Sequence, residues 1–434
     1  MPTPARAFER AFIEKKLLAA AQRDGSLESF ISFVMPKKKA AEVVGEVFLG
    51  RPKNNVSIGI VGLPNVGKSS FFNVLSKLNV AAENYPFCTI DPNFSRVPVP
   101  DKRFRQLCTK HTPKSEVQAV LTVTDIAGLI AGANEGAGLG NAFLSHIQAC
   151  DAIYHMVRAF DDPAVTHVED SVDPIRDMEI IMRELVLKDK QYIGTAIEAQ
   201  KKAVERGIAT KEEADDYAIL VKIMAYLDDT GPVRFGEWNQ KEVIVLNRFQ
   251  LLTAKPMVFL ANLKEKSYKR QRGKYLPAIS EWIATNCPGE PLIPFSCAFE
   301  ATIVAMGDDA AQKKAYMATC AKGVRSCLPK IIKTGYKTLR LINFFTAGSD
   351  EVRAWTIREG STAPNAAGVI HTDMEKGFIC AEVYSFANFQ EHGDVATVKA
   401  KGLYMQQGRK YVMVDGDICF FKFNPPKASK KAKK

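Results

Sequence analysis

The run Gly62-Leu63-Pro64-Asn65-Val66-Gly67-Lys68-Ser69 has the spacing G-x-x-x-x-G-K-S, and that spacing leaves the chain few choices of fold. Each position has a separate duty. The glycines let the backbone curl so that successive N–H groups point at phosphate oxygens. Lys68 reaches the β- and γ-phosphates, and the Ser69 hydroxyl is a ligand for Mg²⁺. Val56-Ser57-Ile58-Gly59-Ile60-Val61 ahead of the loop reads as a buried strand, and Ser70-Phe71-Phe72-Asn73-Val74-Leu75 behind it has helical apolar spacing. A strand, a phosphate loop and a helix whose positive dipole end lies under the phosphates predict an α/β nucleoside-triphosphate-binding domain.

With 434 residues, 46% of them hydrophobic, the chain is long enough for two or three domains. It contains no apolar run of about 18 residues, so no transmembrane helix is expected. Nine cysteines lie scattered without a C-x-x-C pair, which points to reduced thiols and a cytoplasmic protein. The net charge of +11 is concentrated at the ends. Residues 1–53 hold ten Lys/Arg against six Asp/Glu, and Lys427, Lys430, Lys431, Lys433 and Lys434 form a basic tail over 425–434. Such runs are either solvated tails or weak attractors of RNA. Met35-Pro36-Lys37 resembles a cytosolic N-terminus, so residues 1–34 read as an upstream extension outside the fold.

Later segments separate the classes of P-loop protein. Val120-Leu121-Thr122-Val123-Thr124-Asp125 is an apolar strand ending in a carboxylate, followed by Ile126-Ala127-Gly128. This D-x-x-G arrangement places Asp125 to hold Mg²⁺ through water and Gly128 to sense the γ-phosphate. Thr89, in the polar loop between the two motifs, is either a second hydroxyl for the metal or an ordinary loop residue. A strand over Pro256–Ala261 leads to Asn262-Leu263-Lys264-Glu265. Guanine-specific enzymes carry N-K-x-D there, with the Asp accepting from two guanine N–H groups. Here Leu263 replaces the lysine and the longer Glu265 replaces the aspartate, so guanine selectivity is expected to be lost and ATP to be the substrate. Candidate phosphate contacts are Asn65, Val66, Gly67, Lys68, Ser69 and Ser70. Candidate base contacts are Asn262, Leu263, Glu265 and the loop Ser296-Cys297-Ala298 after the strand Leu292–Phe295.

These motifs, with Gly136-Ala137-Gly138-Leu139-Gly140-Asn141, resemble those of the Obg-like ATPases of YchF type. The resemblance implies a P-loop, GTPase-like α/β sheet interrupted by an α-helical hairpin arm and followed by a β-grasp (TGS) domain. It also implies a cytosolic ATPase that associates with ribosomes. The corresponding spans are 54–172 with 253–338 for the nucleotide domain, 173–252 for the arm and 339–424 for the TGS domain. The arm is visible as apolar residues at helical spacing from Pro174 to Arg206, ended by Gly207, with a second run from Lys211 to Asp228. Its Lys188, Lys190, Lys201, Lys202 and Arg206 are either a solvated face or a surface for RNA or protein. After Lys337 the pattern turns to short strands, Leu341–Thr346, Glu351–Ile357, Ala381–Tyr384, Tyr411–Val414 and Asp417–Phe421, with a turn at Asp415-Gly416.

The glutamine that orients the attacking water in many switch GTPases is replaced by Leu129, which predicts slow turnover and another means of positioning water. Asn65 matches the asparagine that potassium-dependent relatives use for a cation, which makes K⁺ a second candidate cofactor beside Mg²⁺. Loop hydrogen bonding is its other reading. His167 resembles a histidine with a proposed catalytic role in this family, and a structural role is the alternative. Arg158 is either a transition-state stabiliser or one half of an ion pair. Oligomeric state is not legible.

Overall fold

The computed structural model describes residues 49–50, 56–78, 94–126, 147–167 and 171–425. Thr89, Gly128, Leu129, the run 136–141 and the basic tail from 426 lie outside them, as does almost all of 1–53.

The first sheet begins with β1 (Ser57–Val61), which feeds the phosphate loop and α1 (Lys68–Ser76). It continues through β2 (Phe94–Pro98), α2 (Lys102–His111), β3 (Ser115–Val117), β4 (Val120–Asp125) and β5 (Ala152–Arg158). The chain then leaves the sheet for three helices, α3 (Pro174–Glu205), α4 (Lys211–Asp229) and α5 (Gln240–Phe249). It returns as β6 (Met257–Asn262), α6 (Glu265–Lys269), α7 (Leu276–Asn286), β7 (Leu292–Phe295) and α8 (Cys297–Ala305). The strand order is β2-β4-β1-β5-β6-β7, parallel except for β2. All seven residues of β5 and all six of β6 are buried, because helices cover both faces of a parallel sheet. Asp125 and Asn262 therefore end at the same edge of the sheet, beside the loop that leaves β1.

The arm is capped by its own sequence. Asp173 accepts from the N–H groups of Ile175 and Arg176, Pro174 opens α3, and Thr210 with Glu213 forms a capping box on α4. Ile193, Leu220, Ile223 and Leu227 pack with Val245 and Leu246 of α5 in a core separate from that of the sheet. At the base of the arm, buried Asp189 accepts from the Leu252 and Thr253 amides and the Thr253 hydroxyl at 2.6–2.9 Å. On the arm's polar face, Lys190 pairs with Asp228 at 2.8 Å and Lys201 with Glu198 at 3.7 Å.

After α9 (Ala310–Ala318), α10 (Leu328–Thr338) leads into the second sheet. A Cβ added at Gly335 would sit 2.1 Å from the Tyr154 hydroxyl, so glycine lets α10 lie directly on the first sheet. That hydroxyl donates to the Ile331 carbonyl of the same helix. The second sheet contains β8 (Leu341–Ala347), β9 (Glu351–Arg358), β10 (Phe378–Ser385), β11 (Met405–Gln407) and β12 (Asp417–Phe423), with α11 (Ala363–Ile370) packed on it. Its order is β11-β10-β12-β8-β9-β3, so the nucleotide domain supplies one edge strand, with Ser115, Glu116 and Val117 beside Glu351, Val352 and Arg353. The expected strand at Tyr411–Val414 is corrected to a single bridge between Val412 and Thr362. The Tyr411 carbonyl and Met413 amide are taken by Ala363 and Ser361 at the start of α11, which leaves no ladder to extend.

Candidate nucleotide site

The phosphate loop is shaped by steric limits on its two glycines. A Cβ at Gly62 would lie 2.6 Å from the Met156 carbonyl of β5. Gly67 has φ 104°, and a Cβ there would lie 2.6 Å from the Asn262 side-chain nitrogen. Asn262 is a strut: its amide donates to the Val66 carbonyl at 2.9 Å, and its oxygen accepts from the Cys297 amide at 3.0 Å. One buried side chain thereby fixes the phosphate loop against the loop expected to receive the base.

Lys68 is buried and donates to the Gly62 and Leu63 carbonyls at 3.0 and 2.8 Å. Burial pulls its pKa down to about 8, against the opposing charge of Asp125. The Ser69 hydroxyl bonds the Asp125 carboxylate, and burial holds that carboxyl above its ordinary value. Asp125 Oδ1 is buried without a hydrogen-bond partner among the described residues. An orphaned carboxylate oxygen beside a hydroxyl suits a hydrated divalent cation, so the residues present fit Mg²⁺.

A cavity of about 670 Å³ brings together Asn65, Gly67, Lys68, Ser69, Ser70, Asn262, Leu263, Glu265, Cys297 and Ala298 from the sequence reading. Val66 and Ser296 lie behind it: Val66 is core, and the buried Ser296 hydroxyl caps α8 by accepting from the Phe299 amide at 3.5 Å. Phe160, Asp162, Val165, Lys264 and Ala301 also line the cavity and were not singled out from sequence. Glu265 Oε1 takes the Tyr316 hydroxyl at 2.8 Å and the Lys269 ammonium at 2.8 Å, and these two donors hold its carboxyl below the usual range. Lys264 instead turns to Asp162, 3.5 Å away.

Arg158 is neither of the two things its sequence position suggested. Its buried guanidinium donates to the carbonyls of Phe160, Asp162, Val165 and Thr166 at 2.9–3.5 Å, organising the loop that forms one wall of the cavity. The Asn65 amide donates to the Thr166 carbonyl at 3.2 Å, joining that wall to the phosphate loop. His167 follows at once, outside the cavity lining, with Nε2 2.8 Å from Asp177 Oδ2 in the first turn of α3.

A family model described as "50S ribosome-binding GTPase" matches residues 57–198. A second, for the C-terminal region of YchF GTPases and described as a protein of unknown function, matches 341–424. The proteins named Obg-like ATPase 1 from Rattus norvegicus and Homo sapiens are each 54% identical over 400 residues, 92% of this chain and 100% of the relative. The chain belongs to the Obg-like ATPase family. The Oryza sativa subsp. japonica relative is 52% identical over 395 residues, 91% of this chain and 98% of its own. The solved structure of the Schizosaccharomyces pombe YchF GTPase superposes with a TM-score of 0.79 at 48% identity, covering 87% of this chain and 100% of that one. A member of the Obg-like ATPase family with this P-loop domain is a nucleoside-triphosphate hydrolase. Among the described residues no helix is long and apolar enough to cross a membrane.

Proposed function

We propose that this chain hydrolyses ATP in preference to GTP, with Mg²⁺ as cofactor. The observation that carries the preference is the state of Glu265. Its Oε1 is already shared by Tyr316 and Lys269, which hold the carboxylate in place, and Leu263 beside it gives the ring an apolar wall. Guanine would bring two N–H donors to a carboxylate with one oxygen already engaged, whereas adenine has no N1–H to satisfy.

In this reading the amides of Asn65–Ser70 and the Lys68 ammonium hold the triphosphate, with Lys68 stabilising charge that grows at the transferred phosphoryl group. Ser69 and Asp125, with Thr89, would hold Mg²⁺, which would neutralise charge on the triphosphate when bound. Gly128 senses the γ-phosphate. Asn65 spends its amide N–H on Thr166, which leaves its oxygen as the group that would meet K⁺. Asp177 fixes the ring of His167, so we assign His167 to turnover and not to nucleotide affinity. His167→Ala should lower ATP turnover while leaving the ATP dissociation constant within twofold or so of the parent; unchanged turnover removes the assignment. Steady-state phosphate release with each nucleotide tests the main reading, which a higher kcat/KM for GTP would overturn.

A second reading is a cytoplasmic, nucleotide-gated factor bound to the ribosome or its RNA, with turnover incidental. It draws support from the ribosome-binding name of the matching family model. Ribosome co-sedimentation that differs between ATP and ADP, with very slow hydrolysis, favours it.

A further inference from the structure

Between Lys322 and Arg340 the chain carries six basic residues and no acidic one. Structure sorts them. The buried face of α10 (Leu328, Ile331, Ile332, Gly335, Tyr336) is held on the first sheet, and Lys330, Lys333 and Lys337 all stand exposed on the other side. Helix geometry makes them a stripe of about 10 Å. Arg325 before the helix and Lys102 at the start of α2 extend it in both directions, and both are exposed.

Two concavities, of 490 and 800 Å³, share Lys333 and Lys337 in their walls, so the stripe borders both. Neighbouring acids are already committed to other partners. Asp101 and Asp415 pair with Arg103 at 2.8 and 2.9 Å, and Glu359 pairs with Arg340 at 3.2 Å. Among the described residues, Lys102, Lys330, Lys333 and Lys337 have no carboxylate within 4.0 Å. On the arm, Lys190 and Lys201 are paired.

We propose that this α10 face binds the phosphodiester backbone of RNA without reading its sequence. The proposal deepens the RNA-binding reading above and does not depend on ATP hydrolysis. Lysines are point charges suited to phosphate, and the helix exposes no aromatic side chain on which a base could stack. An acidic protein partner is less well matched, because a protein interface needs apolar anchors at its centre and is poor in lysine. The rigid seat on Gly335 means that no helix has to order on binding.

The test uses the full chain and a fluorescein-labelled RNA hairpin of mixed sequence, followed by anisotropy between about 50 and 200 mM salt. Lys330→Gln/Lys333→Gln/Lys337→Gln should weaken binding by at least about tenfold at low salt and reduce the magnitude of the log–log salt slope by about 2–3. Its melting temperature and ATP turnover should match the parent. A Lys201→Gln/Lys202→Gln protein should bind as the parent does. The proposal is overturned if the triple variant keeps parental affinity and slope. It is equally overturned if the parent hydrolyses ATP but does not bind the hairpin, or if poly-glutamate at equal charge concentration displaces the hairpin. Loss of ATP turnover in the parent would count against the proposed reaction alone.

Discussion

At the scale of single residues, the nucleotide site depends on side chains whose polar atoms are spent before any ligand arrives. Asn262 bonds the two loops that face each other across the cavity, so its loss should be felt at the phosphates as well as at the base. Asn262→Ala is expected to weaken ATP binding by at least tenfold, about 1.4 kcal/mol or more, in a titration with a fluorescent ATP analogue. Parental affinity would show that the strut is dispensable. Glu265 makes a sharper case. Restoring the guanine-reading pattern with Leu263→Lys/Glu265→Asp shortens the carboxylate and withdraws it from Tyr316 and Lys269. The ratio of GTP to ATP affinity should then rise at least tenfold in competition binding. An unchanged ratio would place purine selection elsewhere in the cavity. Most of this site was readable from residue order, because P-loop spacing and the end of a buried strand leave few alternatives. The partners of Glu265 were not, since Tyr316 lies on a helix 51 residues further on and carries no motif. Arg158 was misread for a similar reason: its acceptors are backbone carbonyls, which no side-chain pattern reveals.

At the scale of elements, burial in strand β5 and helix α3 has consequences for stability. His155 is wholly buried in β5, with Nδ1 lacking a hydrogen-bond partner among the described residues. Burial, then the charge of Arg234, pushes its pKa down to about 3. The unfolded chain binds a proton near the ordinary pKa of about 6.5 and the folded chain does not, so stability rises with pH across that window and falls as pH drops from 6.5 towards 3. Between pH 6.5 and 5 this one residue accounts for a loss of about 2 kcal/mol, and His155→Leu should flatten that part of the urea-unfolding profile. An unaltered acid slope would contradict the assignment. In α3, Asp189 satisfies three donors at the root of the arm, and Asp189→Ala leaves all three buried and unpaired. A loss of about 3 kcal/mol in urea unfolding is expected. The arm helices themselves were legible from apolar spacing and Gly207. Helix α5 was overlooked because its ten residues follow a stretch broken by Gly231, Pro232 and Gly236.

At the scale of the whole molecule, the two sheets are joined through β3, three residues too short to carry any periodicity in the sequence. The β-grasp module is recognisable in outline from its alternating strands, yet its edge strand comes from more than 200 residues upstream. Arg103 reinforces the junction by bonding both Asp101 and Asp415, while Asp415 also accepts from the Asn343 amide. Arg103→Ala should therefore speed hydrogen exchange at 115–117 and 351–353 and leave ATP affinity unchanged; unaltered exchange there would show that β3 holds the junction alone. β3 is followed two residues later by β4, which ends in Asp125, so the second sheet is hydrogen-bonded to the segment that leads into the strand carrying that carboxylate. The central claim concerns which purine this assembly accepts. Titration calorimetry of the full chain with ATP and with GTP, each with Mg²⁺, measures it most directly. The account predicts that ATP binds at least tenfold more tightly, and equal affinity or a preference for GTP would contradict it.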